Sequence, residues 1–140
     1  MTPEELAKIE SLPGMTPAQD DKWIELAQQA VSGKLPVFYA HIPIGALVPF
    51  DLDYRPDLHP LGQMLLEEAT EKAERGEFTF PVVYQRGYWF IVSGDYPMLF
   101  SAVNGRPDIV GCYVLGEISH PQVENVQRVK PEDVRQILGL

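Results

Sequence analysis

Tyr88-Trp89-Phe90-Ile91-Val92-Ser93-Gly94-Asp95 is the stretch on which the fold turns. Its five leading residues are all apolar, aromatic or β-branched. They read as a strand covered on both faces, and therefore as an inner strand of a sheet. That reading puts Trp89 and Phe90 in the core. Ser93-Gly94-Asp95 ends the strand, and a short helix is expected from there to Asn104-Gly105. Just upstream, Phe78, Phe80, Val82 and Tyr84 alternate along a second strand, with Arg86-Gly87 as the turn of a hairpin.

Further out, Pro60 opens a helix whose inward face is expected to carry Leu61, Met64, Leu65 and Ala69, with Asp57 or His59 as its cap. Glu68-Lys72 and Glu71-Arg75 are spaced four apart on its outer face, and Gly76 is its stop. The stretch 48–59 is rich in proline and aspartate and reads as an irregular loop. Leu35 to Ile44 is extended. Thr2-Pro3-Glu4-Glu5 reads as a cap, a first-turn proline and a capping-box glutamate, and Thr16-Pro17-Ala18-Gln19 repeats the pattern before Trp23, Leu26, Ala27 and Ala30. Beyond the hairpin a strand is expected over Ile109 to Leu115. The spacing of Val123, Val126 and Val129 predicts one face of a helical turn, and a last helix starts near Pro131 with Val134, Ile137 and Leu138 inward. The sum is one domain over 1–140 of α+β class: a small mixed sheet with packed helices. Residues 1–34 form a helical extension on a core of 35–140.

The chain has 140 residues, enough to bury roughly two-thirds of its unfolded surface without a metal or disulfide staple. Its one cysteine, Cys112, lies in an apolar run and reads as a buried thiol. Eleven basic residues face twenty acidic ones, a formal charge of -9. Phosphate-backbone binding depends on clustered Lys and Arg, so direct nucleic-acid binding is disfavoured and a basic protein partner is expected. No apolar run approaches the ~20 residues of a membrane span. The acidic start is unlike a signal peptide, which makes a cytoplasmic location the expectation.

From Tyr39 to Glu117 the order of motifs resembles the ParB/sulfiredoxin-like superfamily. Ile42-Pro43-Ile44-Gly45-Ala46-Leu47-Val48-Pro49 is similar to that family's opening strand and L-x-P loop. Phe80-Pro81-Val82-Val83-Tyr84 resembles its P-I-V-V strand, and the Tyr88 to Asp95 stretch its Y-x-L-V-x-G-E/D element. The resemblance implies a ParB/sulfiredoxin-like fold with a nucleotide pocket at the strand-to-helix elbow. Ser93, Gly94, Asp95 and Tyr96 would then stand on its rim. At the elbow the chain departs from the pattern, because Tyr96 and Pro97 stand where ParB proteins carry phosphate-binding arginines and no sulfiredoxin-type cysteine is present. Val123-Glu124-Asn125-Val126-Gln127-Arg128 resembles the family's E-N-x-Q-R segment, which implies nucleotide contacts for Glu124, Asn125 and Arg128.

Asp51, Asp53, Asp57 and His59 form the densest group of oxygen and nitrogen ligands, suited to a hard cation, although they lack the glycine and terminal glutamate of a calcium loop. His41, in an apolar strand beside Tyr39, reads as a half-buried, hydrogen-bonded histidine ahead of a catalytic base. His120 has no local acidic partner, and no serine or cysteine sits in a nucleophile motif. No residue is therefore assigned a catalytic role, and the sequence requires no cofactor. The leading expectation is a non-catalytic binding or regulatory module with a degenerate nucleotide pocket. One alternative is a metal-dependent nuclease or nucleotide hydrolase using Asp95, Glu124 and Asp51 or Asp53. The other is an acidic inhibitor or immunity-type protein that covers a basic partner.

Overall fold

Among the described residues six strands form a single sheet in the order β2-β4-β3-β5-β1-β6. They are β1 (Val37–Pro43), β2 (Leu47–Pro49), β3 (Val82–Arg86), β4 (Trp89–Val92), β5 (Ile109–Leu115) and β6 (Glu124–Arg128). The computed structural model describes residues 2–11, 18–76, 80–93 and 108–139. Among them are four α-helices: α1 (Pro3–Ser11), α2 (Asp21–Val31), α3 (Pro60–Glu74) and α4 (Val134–Ile137). The α+β class and the mixed sheet are as expected. β3 pairs with β4, β5 with β1 and β1 with β6, all antiparallel, whereas β2 runs parallel to β4 and β3 parallel to β5.

Alternation along the strands divides the core into two layers. Ile42, Val83, Phe90, Val92, Val110, Cys112 and Val114 face one side, where Ile44, Ile118 and Val123 pack on them. Val37, Val82, Tyr84, Ile91 and Leu115 face the other, under Ala27 and Ala30 of α2 and Val134 of α4. The indole of Trp23 fastens α2 to the sheet, donating to the Val82 carbonyl at 3.0 Å. At the N-terminus Glu5 N–H donates to Thr2 Oγ1 and Thr2 N–H to Glu5 Oε2, the reciprocal bonds of a capping box.

Five local expectations are corrected. The 123–129 segment is the edge strand β6, not a helical turn: Val123 packs in the first layer and Val129 in the second, so the valines do not share a face. Part of the expected loop is strand β2, whose partner β4 lies some forty residues away and leaves no local trace. Trp89 is 47% exposed, because the turn is Gly87-Tyr88 and Trp89 opens β4 at the rim of the sheet, opposite Arg86. Gly87 adopts φ 62°, the left-handed geometry a two-residue hairpin loop needs at its first position.

On α3 the inward face is Gly62, Leu66 and Ala69, while Met64 is 61% exposed. The rotation is set by Gly62, which lies directly against the backbone of the 3-10 turn Pro56–Leu58. Lastly, α2 is capped by Asp20 rather than at Thr16-Pro17, a pair outside the described residues. No helix among the described residues is long and apolar enough to cross a membrane.

Candidate functional site

Asp20 is the starting point, because it is the one polar or charged residue among those described that is buried, at 6% exposure. Its backbone is extended (φ -95°, ψ 95°), as an N-cap requires, and Oδ1 accepts from the amides of Lys22 at 3.1 Å and Trp23 at 3.2 Å. Oδ2 accepts from the Tyr84 hydroxyl at 2.9 Å and from the Ser93 hydroxyl. Four donors fill the acceptor capacity of the carboxylate. One acid thus joins the head of α2 to β3 and to the end of β4.

Around this node lies a hollow of about 630 Å³. Leu26, Leu35, Phe50 and Leu115 line it with apolar surface, and Asp21, Lys22, Arg86 and Glu117 bring charges of both signs. Gln85, next along β3, ties the strand to the segment after β5: Oε1 accepts from Ser119 N–H at 2.8 Å, and Nε2 donates to the Ser119 carbonyl and to the Gly87 carbonyl at 2.8 Å. Gly116, at φ 104°, turns the chain away after β5.

Among the described residues Tyr84 is the group whose acidity the fold changes most. Burial, and secondarily the bond to Asp20 and its charge, push the hydroxyl up to about 12, against a weaker opposing pull from Arg86. An exposed tyrosine titrates near 10. The fold favours the neutral phenol, so this stabilisation is whole below pH 10 and disappears as pH rises through 12. Tyr84 is therefore expected to ionise well above an unfolded tyrosine when its ring carbon is followed by NMR. Titration at the ordinary value would contradict the buried Asp20–Tyr84 bond.

The residues expected to form a site divide into separate places. Ser93 belongs to the Asp20 node, and Gly94, Asp95 and Tyr96 lie outside the described residues. Glu124, Asn125 and Arg128 are on β6, which is exposed along its whole length. Four strand steps separate β4 from β6, roughly 19 Å at ~4.8 Å per step. Asn125 sits at a bulge with φ 55° and donates from Nδ2 to His41 Nδ1 at 2.8 Å. Arg128 flanks a second, shallower hollow of about 420 Å³ floored by Tyr39, Phe80 and Tyr113. Gly111 makes room for those rings, since a Cβ there would meet the Tyr39 hydroxyl.

The acid loop has a structural use. Asp51 Oδ2 accepts from Ala18 N–H at 2.7 Å and Oδ1 from Asp53 N–H at 2.9 Å, which ties the loop to the approach to α2. The His59 carbonyl accepts the first α3 bond, from Gln63 N–H at 2.9 Å. The Asp57 side chain lies outside the described residues. Among the described residues no three His, Cys, Asp or Glu side chains are grouped to hold a metal ion. Glu124 pairs with His41 on the far side of the sheet from Asp51's tether, so the carboxylates of the hydrolase alternative that are described do not converge.

Asp20 and Tyr84 were not singled out from the sequence. The available signal was an aspartate directly before the 3.6-residue pattern of α2, which the Thr16-Pro17 motif outcompeted. No family model, curated protein or solved structure matches the chain.

Proposed function

We propose that the chain is a non-catalytic binding module, of ParB/sulfiredoxin-like type with its nucleotide pocket lost, whose ligand enters the hollow at the head of α2. The observation that carries this reading is the saturation of Asp20. With four donors on its oxygens, the one buried acid in the hollow has no acceptor site left to take a proton from a substrate. Ser93 donates its hydroxyl proton to that acid, and the arrangement holds no imidazole to activate it. The separation of Ser93 from Glu124, Asn125 and Arg128 supports the loss of a shared nucleotide pocket.

Apolar walls beneath charges of both signs suit a small amphipathic zwitterion, and free leucine and phenylalanine serve as probes. In an amide NMR titration these probes are expected to move Lys22, Arg86 and Gly116. Leu26→Trp, which fills the hollow, should abolish the response. CTP with Mg²⁺ should leave the same amides unmoved. Micromolar CTP or ATP binding would overturn the proposal, as would amino-acid shifts that survive Leu26→Trp.

A further inference from the structure

The shallower hollow beside β6 has an aromatic floor and an uneven rim. Strand pairing sets Tyr113, Tyr39 and Gln127 in one row across β5, β1 and β6. In the next row Gly111 lies opposite His41, and the Phe80 ring lies against the glycine and against Tyr39. Paired residues share a face, so these side chains stand on one side of the sheet, where Ile137 of α4 closes the hollow.

The three rings meet edge to face. Between ring centroids Tyr39 is 5.3 Å from Phe80 and 5.5 Å from Tyr113, at 71° and 63°, and Phe80 is 6.2 Å from Tyr113 at 76°. Phe80 remains 37% exposed, so the herringbone ends at solvent, where one more planar ring would extend it. A hollow of about 420 Å³ has room for a molecule of one or two rings.

The rim decides the charge of that molecule. Arg128 and Lys130 border the hollow against one acid, Asp133, and neither cation is in an ion pair among the described residues. At the head of α2 the balance is reversed, with Asp20, Asp21 and Glu117 against Lys22 and Arg86. The floor adds a donor. Asn125 Nδ2 donates to His41 Nδ1, so the neutral imidazole carries its hydrogen on Nε2, 3.5 Å from the Tyr39 oxygen. The Tyr39 hydroxyl hydrogen then has no acceptor among the described residues. Burial first, then Tyr113 and Cys112, hold this phenol above its ordinary value and keep it a donor at neutral pH.

We propose that this hollow is a second binding site, for a planar aromatic monocarboxylate. Its ring would lie on Tyr39, Phe80 and Tyr113, and its carboxylate would face Lys130, Arg128 and the Gln127 amide. A single negative charge is favoured over a phosphate dianion, because the chain carries -9 and the rim offers only a small local excess of cations. The site is separate from the hollow at the head of α2 and does not depend on how that one is used.

The test is an NMR titration of the full chain with indole-3-acetate. Saturable shifts are expected at the amides of Gly111, Tyr113 and Gln127, with NOEs from the indole to the Tyr39 and Tyr113 rings. The Kd should be about 1 mM or tighter, an ordinary strength for a ligand of that size. Tryptamine keeps the ring and carries a cation, acetate keeps the anion without the ring, and AMP is a dianion. Each should bind at least about fivefold more weakly. Arg128→Gln/Lys130→Gln and Gln127→Glu should each weaken indole-3-acetate about fivefold, whereas Gln127→Lys should strengthen it about threefold. These positions are exposed, so the fold is retained. The remote change Lys34→Gln/Lys72→Gln, and Leu26→Trp in the other hollow, should leave affinity within about twofold.

Four results would overturn the proposal. They are the absence of saturable binding, affinity for tryptamine or AMP equal to that for indole-3-acetate, indifference to both Gln127 charge variants, and loss of binding in Leu26→Trp, which would put the ligand in the other hollow.

Discussion

Asp20→Ala is expected to destabilise the chain by about 3 kcal/mol, the largest effect of any single polar substitution among the described residues. Two losses combine. Removal of the N-cap exposes the first-turn amides of α2 and costs about 1 kcal/mol. The Tyr84 and Ser93 hydroxyls, both directed at Oδ2, lose their acceptor, at roughly 1–3 kcal/mol for each that stays buried and unpaired. Asp20→Asn separates the two. Asparagine caps a helix about as well as aspartate, but its amide nitrogen cannot accept from the hydroxyls. It should fall between wild type and Asp20→Ala in urea denaturation. An Asp20→Ala midpoint within about 1 kcal/mol of wild type would mean the carboxylate is not the joint between α2 and the sheet.

Gly62→Ala is the second large effect, and its sign opposes helix propensity. In an exposed helix interior this change stabilises by about 1 kcal/mol. Here a Cβ would overlap the carbonyl oxygen, carbonyl carbon and Cα of Pro56. These are backbone atoms that cannot rotate aside, so α3 must lift from the Pro56–Leu58 turn, at a cost of about 3 kcal/mol. Gly45 is the control, since a Cβ there meets nothing within 4 Å. The Gly45→Ala change should stay within about 0.5 kcal/mol. A neutral or stabilising Gly62→Ala would show that α3 does not rest on that turn.

Elements with local signals were legible. Phe90-Ile91-Val92 and the 109–115 strand declared themselves by β-branched and aromatic content, and α2 by its 3.6-residue apolar period. The Thr2/Glu5 cap was readable because both partners lie within one turn. Met64 was misplaced because Leu61, Met64, Leu65, Leu66 and Ala69 offer more than one apolar stripe. Only the close approach of Gly62 to Pro56 chooses among them. Trp89 was misplaced because a strand's composition does not say which end stands at the rim of the sheet. The 123–129 segment was misread because Val123, Val126 and Val129 satisfy a helical spacing, while pairing of Phe38 and Tyr39 with Arg128 and Gln127 supplies the backbone bonds that hold it extended.

The site was less legible than the fold for the same reason. By itself the sequence determined the α+β class, the position of the inner strand and the strong acidity of the chain, all of which depend on composition and short-range period. The order of the strands was decided only by tertiary structure. That order puts Ser93 against Asp20, 73 residues away, and leaves Arg128 four strands distant. Buried polar groups must find partners wherever packing brings them, and a bond between distant segments leaves no mark on the spacing of either.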